Sequence, residues 1–463
     1  MNNERPSATR REFLKNTGRI AAATALAGTF VPHVHAAEDN TIRVALIGCG
    51  GRGTGAAADA LSVKHGPIKL VAMADVFPDR LAASFKNLKE DAVADRVDVP
   101  DDRKFVGFDA YKKAMDCLKP GDVAIFATPP AFRWVHFGYA IQKGLNAFLE
   151  KPVTVDGPSS RKMLALAEQS QKKDLKVAVG LMSRHSRPLQ ELSKRIQDGD
   201  IGDPILVRGY RMHAPVASFR SLPKPPGISE LAYQIQRFHS FLWASGGCFS
   251  DFNIHIIDNC CWMKNDWPVS AHAIGGRHYR QDSEGVYIDQ NFDVYSVEYT
   301  FADGAKFLFE GRYMAGCNDL YSNYVQGSKG MAIISKSGDC GPPSSTYKGQ
   351  LPEKSKMLWQ SKTKPDDQGP YQNEWNDLID AIRNNKPYNE VPRGVKASLV
   401  TSMGRMSAHT GQEITFDAML NCPHEFAPGV DTLATLDSPA PLLAGPDGKY
   451  PVPQPGIVIH TEY

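Results

Sequence analysis

Residues 42–47 (IRVALI) form an almost unbroken apolar run, the pattern of a parallel strand buried on both faces. The run stops at Gly48-Cys49-Gly50-Gly51-Arg52-Gly53, and residues 54–61 are then Ala-rich and helical in character. A second apolar run, 68–74, ends at Asp75. Residues 122–128 and 146–149 repeat the pattern, with a helix expected over 135–143 between them. From about residue 176 the rhythm changes. Residues 176–181, 205–212, 269–277, 294–301 and 305–313 are rich in β-branched and aromatic side chains, and Asp303-Gly304 between the last two is a hairpin signal. Helical periodicity returns over 371–384 and 395–409. Residues 422–463 are Pro-rich with no clear period, and read as an extended arm. Strands alternating with helices, then a strand-rich stretch, predict an α/β chain of two domains.

The first residues break this pattern. Arg10-Arg11 precede a weakly apolar run, 20–31, about half the ~20 residues needed to span a bilayer. Val34-His35-Ala36 supplies a small-x-small cleavage site. The arrangement resembles a twin-arginine signal, which exports folded proteins. It predicts a signal over 1–37, the twin-arginine export machinery as a partner, and a periplasmic or extracytoplasmic protein. Removing residues 1–36 takes away Arg5, Arg10, Arg11, Lys15 and Arg19 against Glu4 and Glu12, turning a formal charge of +2 into −1. No basic tract remains, so nucleic acid is not an expected partner. Nothing after the signal is long and apolar enough for a membrane span. The eight cysteines contain no C-x-x-C pair, and no metal site is expected from them.

The glycine cluster carries the first chemistry. Gly48 permits a tight turn, Gly50 lets the backbone approach a pyrophosphate, and Gly53 lets helix and strand pack closely. The helix N-terminus then offers free N–H groups and partial positive charge to the phosphates. Asp75 follows Gly53 by 22 residues, the spacing of a carboxylate that accepts from ribose hydroxyls. A 2′-phosphate would be repelled there, so NAD is favoured over NADP. Thr128 and Lys151 fall at carboxyl ends of strands, where ligands of open α/β sheets sit.

A second group of ionisable residues lies in Asp251-Phe-Asn-Ile-His255-Ile-Ile-Asp258-Asn-Cys-Cys-Trp262. At helical spacing Asp251, His255, Asp258 and Trp262 share one face, while most other directions are apolar. Such a helix is buried, so its polar stripe must meet something polar inside. The stripe alone fits a hydrogen-bond network, a metal site, or the acid–base group of a hydride-transfer enzyme.

The glycine fingerprint, "ATPP" (127–130), "FLEKP" (148–152), "GGCFSDFNIHIIDNCCW" (246–262), "EWNDLIDAIRNNKPY" (374–388) and "GRMSAHTGQEI" (404–414) together resemble the Gfo/Idh/MocA family of glucose–fructose oxidoreductases and inositol dehydrogenases. The resemblance runs from about residue 41 to 420. It implies a Rossmann domain over 38–155, an α/β domain with a large, mostly antiparallel sheet over 156–421, and the arm over 422–463. It implies a homo-oligomer, since that sheet's open face often mediates assembly in the family. Its Glu-Lys-Pro lysine, here Lys151, lies near the nicotinamide, and its Asp and His four apart match Asp251 and His255. The implied roles are His255 as base, Asp251 orienting its ring, and Lys151 on the reacting oxygen. The cofactor set is Gly48, Gly50, Gly51, Arg52, Gly53, Asp75, Thr128, Pro129, Glu150 and Lys151. Arg184, His185 and Tyr324 are weaker substrate-pocket expectations. The whole predicts an exported NAD-dependent oxidoreductase acting on a sugar, polyol or sugar derivative. An NAD-dependent glycoside hydrolase working by transient oxidation, or a non-catalytic sugar- or nucleotide-binding protein, are the alternatives.

Overall fold

The computed structural model describes residues 40–463 apart from 279 and 366, so the expected export signal lies outside the described residues. Strand β1 (Ile42–Ile47) is central in a six-stranded, all-parallel sheet with β2 (Ile68–Asp75), β3 (Lys104–Val106), β4 (Val123–Phe126), β5 (Asn146–Leu149) and β6 (Val177–Val179). The spatial order is β3-β2-β1-β4-β5-β6. Ala45 and Ile47 enter one hydrophobic cluster while Val44 and Leu46 enter another, which is why the run needs no polar alternation. The order reverses between β1 and β4. Loops leaving those two strands diverge to opposite sides and open a crevice at the strands' carboxyl ends.

The sheet does not stop at residue 155, the expected boundary. The Gly157–Lys172 helix crosses over to place β6 beside β5. Much later in the chain, the Pro370–Arg383 helix returns to bury Trp375, Leu378, Ile379 and Ile382 against Ile42, Val44 and Phe148. The first unit is thus discontinuous in sequence, because one face of its sheet is completed by a helix from the far end of the chain.

The second unit is a nine-stranded sheet. Its strands are β7 (Pro204–His213), β8 (Ser270–Gly276), β11 (Val294–Thr300), β12 (Lys306–Tyr313), β13 (Leu320–Gly327), β14 (Gly330–Ser335), β15 (Ser345–Lys348), β16 (Met357–Gln360) and β17 (Ile414–Thr415). A separate two-stranded ribbon pairs β9 (Gln281–Asp282) with β10 (Gly285–Val286). The order is β16-β15-β14-β13-β7-β12-β11-β8-β17, and every pairing is antiparallel except β7 with β12. The helices Gly247–Lys264 and Val391–Thr410 pack on it, both buried along most of their length. Among the described residues no helix is long and apolar enough to cross a membrane.

The arm forms no strand and only a short 3₁₀ turn, Val430–Thr432, as its composition implies. It is nonetheless packed. Phe426, Val430, Leu442 and Tyr450 are buried in one cluster with Phe77, Phe132 and Trp243.

Candidate active site

The glycine loop is shaped by contacts that exclude a side chain. Gly48 has φ of +95°, and a Cβ there would lie 2.7 Å from the Ala127 carbonyl carbon and the Thr128 nitrogen. A Cβ on Gly53 would lie 2.0 Å from the Gly48 carbonyl oxygen, so β1 and the Gly51–Leu61 helix could not approach as they do. At Gly50 and Gly51, by contrast, a Cβ would meet nothing within 4 Å. That open space faces a helix start with no acidic residue in its first turn and no side-chain cap. Its N–H groups are left for an anion. The loop is pinned from behind: Asp75 accepts from the Cys49 N–H at 2.6 Å and the Phe77 N–H at 2.9 Å. Burial raises the Asp75 carboxyl above its ordinary range despite these two donors.

A cavity of about 440 Å³ opens at the crevice and runs from Asp75, Gly50 and Gly51 to Lys151, Asp251 and His255. Every residue of the predicted cofactor set lines it. Arg52 does so by an indirect route. Its guanidinium turns to Glu150 at 2.6 Å and to the fully buried Glu374 at 3.3 Å, beneath the Tyr371 ring at 4.7 Å. Arg52 thereby ties the glycine loop to the Glu-Lys-Pro segment and to the returning helix. Thr128 and Pro129 are held by Arg133, fully buried, which donates to the Thr128 carbonyl at 2.9 Å and to that of Phe126. Nothing in the sequence pattern marks Arg133, because an arginine at a helix start reads as a surface group.

At the other end of the cavity, Lys151 lies just past β5 and is joined to Pro152 by a cis bond. Its Nζ donates to the Asp251 main-chain oxygen at 2.7 Å and lies 3.5 Å from the Asp251 carboxylate. Asp251 and His255 project from the Gly247–Lys264 helix, which can begin there because Gly246 and Gly247 both take left-handed conformations (φ +76° and +71°). Burial alone would raise the Asp251 carboxyl. The Lys151 ammonium and a hydrogen bond from His239 outweigh it and hold the group well below the usual carboxylate range. Burial pushes His255 down to about 4, so its imidazole is neutral at pH 7.

One expected relation is corrected. The Asp251 carboxylate does not hydrogen-bond the His255 ring; its partners are Lys151 and, at 3.4 Å, His239 Nε2. The His255 Nδ1 is buried with no hydrogen-bond partner. Side chains four apart on a helix lie one above the other, and here the carboxylate is drawn sideways toward Lys151 and His239. His239 also lines the cavity and was not singled out by sequence. It sits in a short 3₁₀ turn, Phe238–Ser240, that carries no motif.

The three weaker substrate expectations do not reach the cavity. Arg184 makes a two-pronged pair with Asp258 (2.8 and 2.7 Å), and His185 is buried between Asp377 (2.7 Å) and Glu390 (3.3 Å). Tyr324, on β13, packs with Tyr210 and against the Met331–Ile333–Tyr347 cluster. All three satisfy buried or half-buried partners within the fold. The lower part of the polar stripe, Asp258, is likewise structural. No group of His, Cys, Asp or Glu side chains among the described residues could hold a metal ion.

Residues 189–333 match the family model of the GFO/IDH/MocA C-terminal domain. Among curated proteins the chain is 25% identical over 174 residues to scyllo-inositol 2-dehydrogenase (NAD(+)) of Bacillus subtilis, covering 37% of this chain and 41% of that protein. The chain thus spans about two fifths of that relative's length. Among solved structures it resembles aldose-aldose oxidoreductase of Caulobacter crescentus at 17% identity and a TM-score of 0.61, covering 81% of this chain and 99% of that one. It also resembles a levoglucosan dehydrogenase in complex with NADH and levoglucosan, at 16% identity and a TM-score of 0.61, with the same coverage. Residues 189–333, within the second unit, thus match the GFO/IDH/MocA C-terminal domain model, and the chain shares the fold of these solved structures, a Rossmann-type parallel sheet with a large, mostly antiparallel sheet.

Proposed function

We propose that this protein is an exported NAD-dependent oxidoreductase that moves a hydride between a sugar, polyol or sugar derivative and a tightly held nicotinamide. The observation that carries the reading is the convergence, in one cavity, of a dinucleotide cradle with Lys151, Asp251 and His255 from two separate units. The cradle residues fit NAD: open space at Gly50 and Gly51, free helix N–H groups, and a carboxylate at the end of β2. Bound there, the nicotinamide supplies the acceptor for a hydride. The protein's own part is to hold the alcohol and take its proton. His255, neutral in its buried setting, accepts the hydroxyl proton, and the Lys151 ammonium stabilises charge developing on the same oxygen. The test is reduction of the bound nicotinamide, followed in single turnover, across a sugar and polyol panel.

Asp75 sets the choice of dinucleotide. It lines the cavity with its carboxylate fixed by two backbone donors, and a 2′-phosphate would bring a second anion against it. Titration of the unmutated protein should give tighter binding of NAD than of NADP, and Asp75→Ser should shrink that gap. Equal or tighter binding of NADP by the unmutated protein rules this role out.

Export folded would load the cofactor before transit. Retention for hours needs a koff of about 10⁻⁴ s⁻¹, and with kon of roughly 10⁵–10⁷ M⁻¹s⁻¹ a Kd near 10⁻⁹ M or tighter. That is about 4 kcal/mol more than micromolar binding. Two segments are candidates to supply it: residues 37–41, of which 37–39 lie outside the described residues, and the arm, none of which lines the cavity but whose Phe426, Val430 and Tyr450 cluster with Phe77 and Phe132 of the cavity wall. Protein purified from the periplasm, dialysed and denatured, should release near-stoichiometric NAD(H). An empty protein with micromolar affinity, or a protein that stays in the cytoplasm, refutes the retention reading.

A further inference from the structure

His239 and Asp251 form a polar site that the reacting hydroxyl does not use. Asp251 is only 6% exposed and held ionised, yet both of its partners stand off, Lys151 Nζ at 3.5 Å and His239 Nε2 at 3.4 Å, one on each oxygen. A carboxylate offers about four acceptor positions. Two long contacts leave most of that capacity open toward the cavity, which Asp251, His239, Lys151 and His255 all line. Burial of an ionised group with unused acceptors is costly unless a ligand or water completes it.

The histidine is held for such a partner. Its Nδ1 is 2.9 Å from Ser218 Oγ, and its ring lies beside Phe238 (3.8 Å between centroids) and Phe252 (5.2 Å). Its main-chain oxygen accepts from Asn291 Nδ2 at 3.0 Å, which fixes the backbone beneath it. The ring therefore cannot turn away, and Nε2 stays on the Asp251 side. A hydroxyl entering there can donate to a carboxylate oxygen and accept from His239 Nε2 at the same time. An alcohol uses both halves of that pairing, whereas a carbonyl or an ether can only accept from the histidine and leaves the carboxylate unserved.

We propose that Asp251 and His239 bind the hydroxyl on the carbon next to the one oxidised, so that the substrate is a vicinal diol. This rests on the assignment of Lys151 and His255 to the reacting oxygen. Neighbouring carbons follow from geometry: one carboxylate touches both Lys151, on the reacting oxygen, and His239, on the second. Two hydroxyls held by donors that flank a single carboxylate, at 3.5 and 3.4 Å from its two oxygens, fit carbons that lie side by side. His239 is then a specificity-determining residue that touches substrate, and Ser218 is a positioning residue that acts through it.

The experiment compares the best-oxidised aldose or cyclic polyol with its deoxy analogue lacking one adjacent hydroxyl, in the unmutated protein, His239→Ala and Ser218→Ala. A site built for a hydroxyl rejects an analogue that lacks it by orders of magnitude. In the unmutated protein, loss of the adjacent hydroxyl should lower kcat/KM by at least about 100-fold. In His239→Ala the same change should cost less than about tenfold, and Ser218→Ala should fall between. A structural role for His239 would lower both substrates alike and leave their ratio unchanged, which overturns the inference. So does equal use of both substrates by the unmutated protein. Absence of turnover on every sugar and polyol overturns the oxidoreductase reading itself, and this inference with it.

Discussion

Replacing Lys151 with alanine should lower kcat by roughly 10²–10⁴-fold, the range for loss of a group that handles charge or protons at the reacting atom. The ammonium is the cation at the far end of the cavity that reaches both the Asp251 main-chain oxygen (2.7 Å) and its carboxylate (3.5 Å). Removing it takes away the donor for the reacting oxygen. It also takes away the charge that counters burial at Asp251, so that carboxyl should rise toward its ordinary range. The fold should survive, because Lys151 belongs to no hydrophobic cluster and its side chain lies on the cavity wall. Dinucleotide affinity should change far less than kcat, since the cradle is at the other end. Steady-state kinetics with a cofactor titration separates the two, and near-wild-type turnover in Lys151→Ala would sink the assignment.

Replacing Glu462 with alanine should destabilise the protein by about 3–5 kcal/mol, the cost of leaving one partner of a buried ion pair unpaired. Arg405 and Glu462 are 0% and 2% exposed and meet in a two-pronged pair, 2.8 Å on each arm. His409 Nδ1 adds a third contact to the same carboxylate at 2.7 Å. The guanidinium also donates to Gly246 O (2.9 Å), Ser250 Oγ (2.7 Å) and Val155 O (2.9 Å). One arginine therefore joins the end of the arm, the start of the helix bearing Asp251, and the segment that follows Lys151-Pro152. Denaturant unfolding measures the loss, and Glu462→Gln, which keeps the shape, should lose less. Burial would raise the Glu462 carboxyl, but Arg405 and His409 bring it down to about 2 from an ordinary 4.5. A depressed carboxyl contributes stability that is complete above its unfolded value and lost as pH falls through the folded one. The acid limb between pH 4.5 and about 2 should flatten in Glu462→Gln. Unchanged stability in Glu462→Ala would mean the arm is not held by this pair.

Much of this site is legible in the sequence. The strands 205–212, 294–301 and 305–313 appear as β7, β11 and β12 within one or two residues, because one face of each is buried and alternation survives in the sequence. The glycine loop was equally plain, since its geometry forbids side chains at Gly48 and Gly53. Strands β13, β15 and β16 carry no such signal: LYSNYVQG and STYK mix aromatic and polar residues, and the edge strand β16 is only half-buried, while β14 (GMAIIS) shows no alternation because it is buried on both faces. The discontinuous first unit was hidden for another reason. Trp375 and Ile379 look like any amphipathic helix face, and the surface they cover is set by tertiary packing alone. The same holds for His239, Arg133 and Glu462. Each is an isolated polar residue in unpatterned sequence, made important by a partner at least five residues away.

The most direct measurement is the redox balance of the nicotinamide. Purified protein is incubated with NAD and a panel of sugars, polyols and aryl glycosides, while reduced nicotinamide and released aglycone are followed together. The account predicts reduced nicotinamide formed mole for mole with an oxidised sugar, and lost in Lys151→Ala and His255→Ala. Release of aglycone with no net change in the nicotinamide would contradict it, as would binding of both ligands with no reaction.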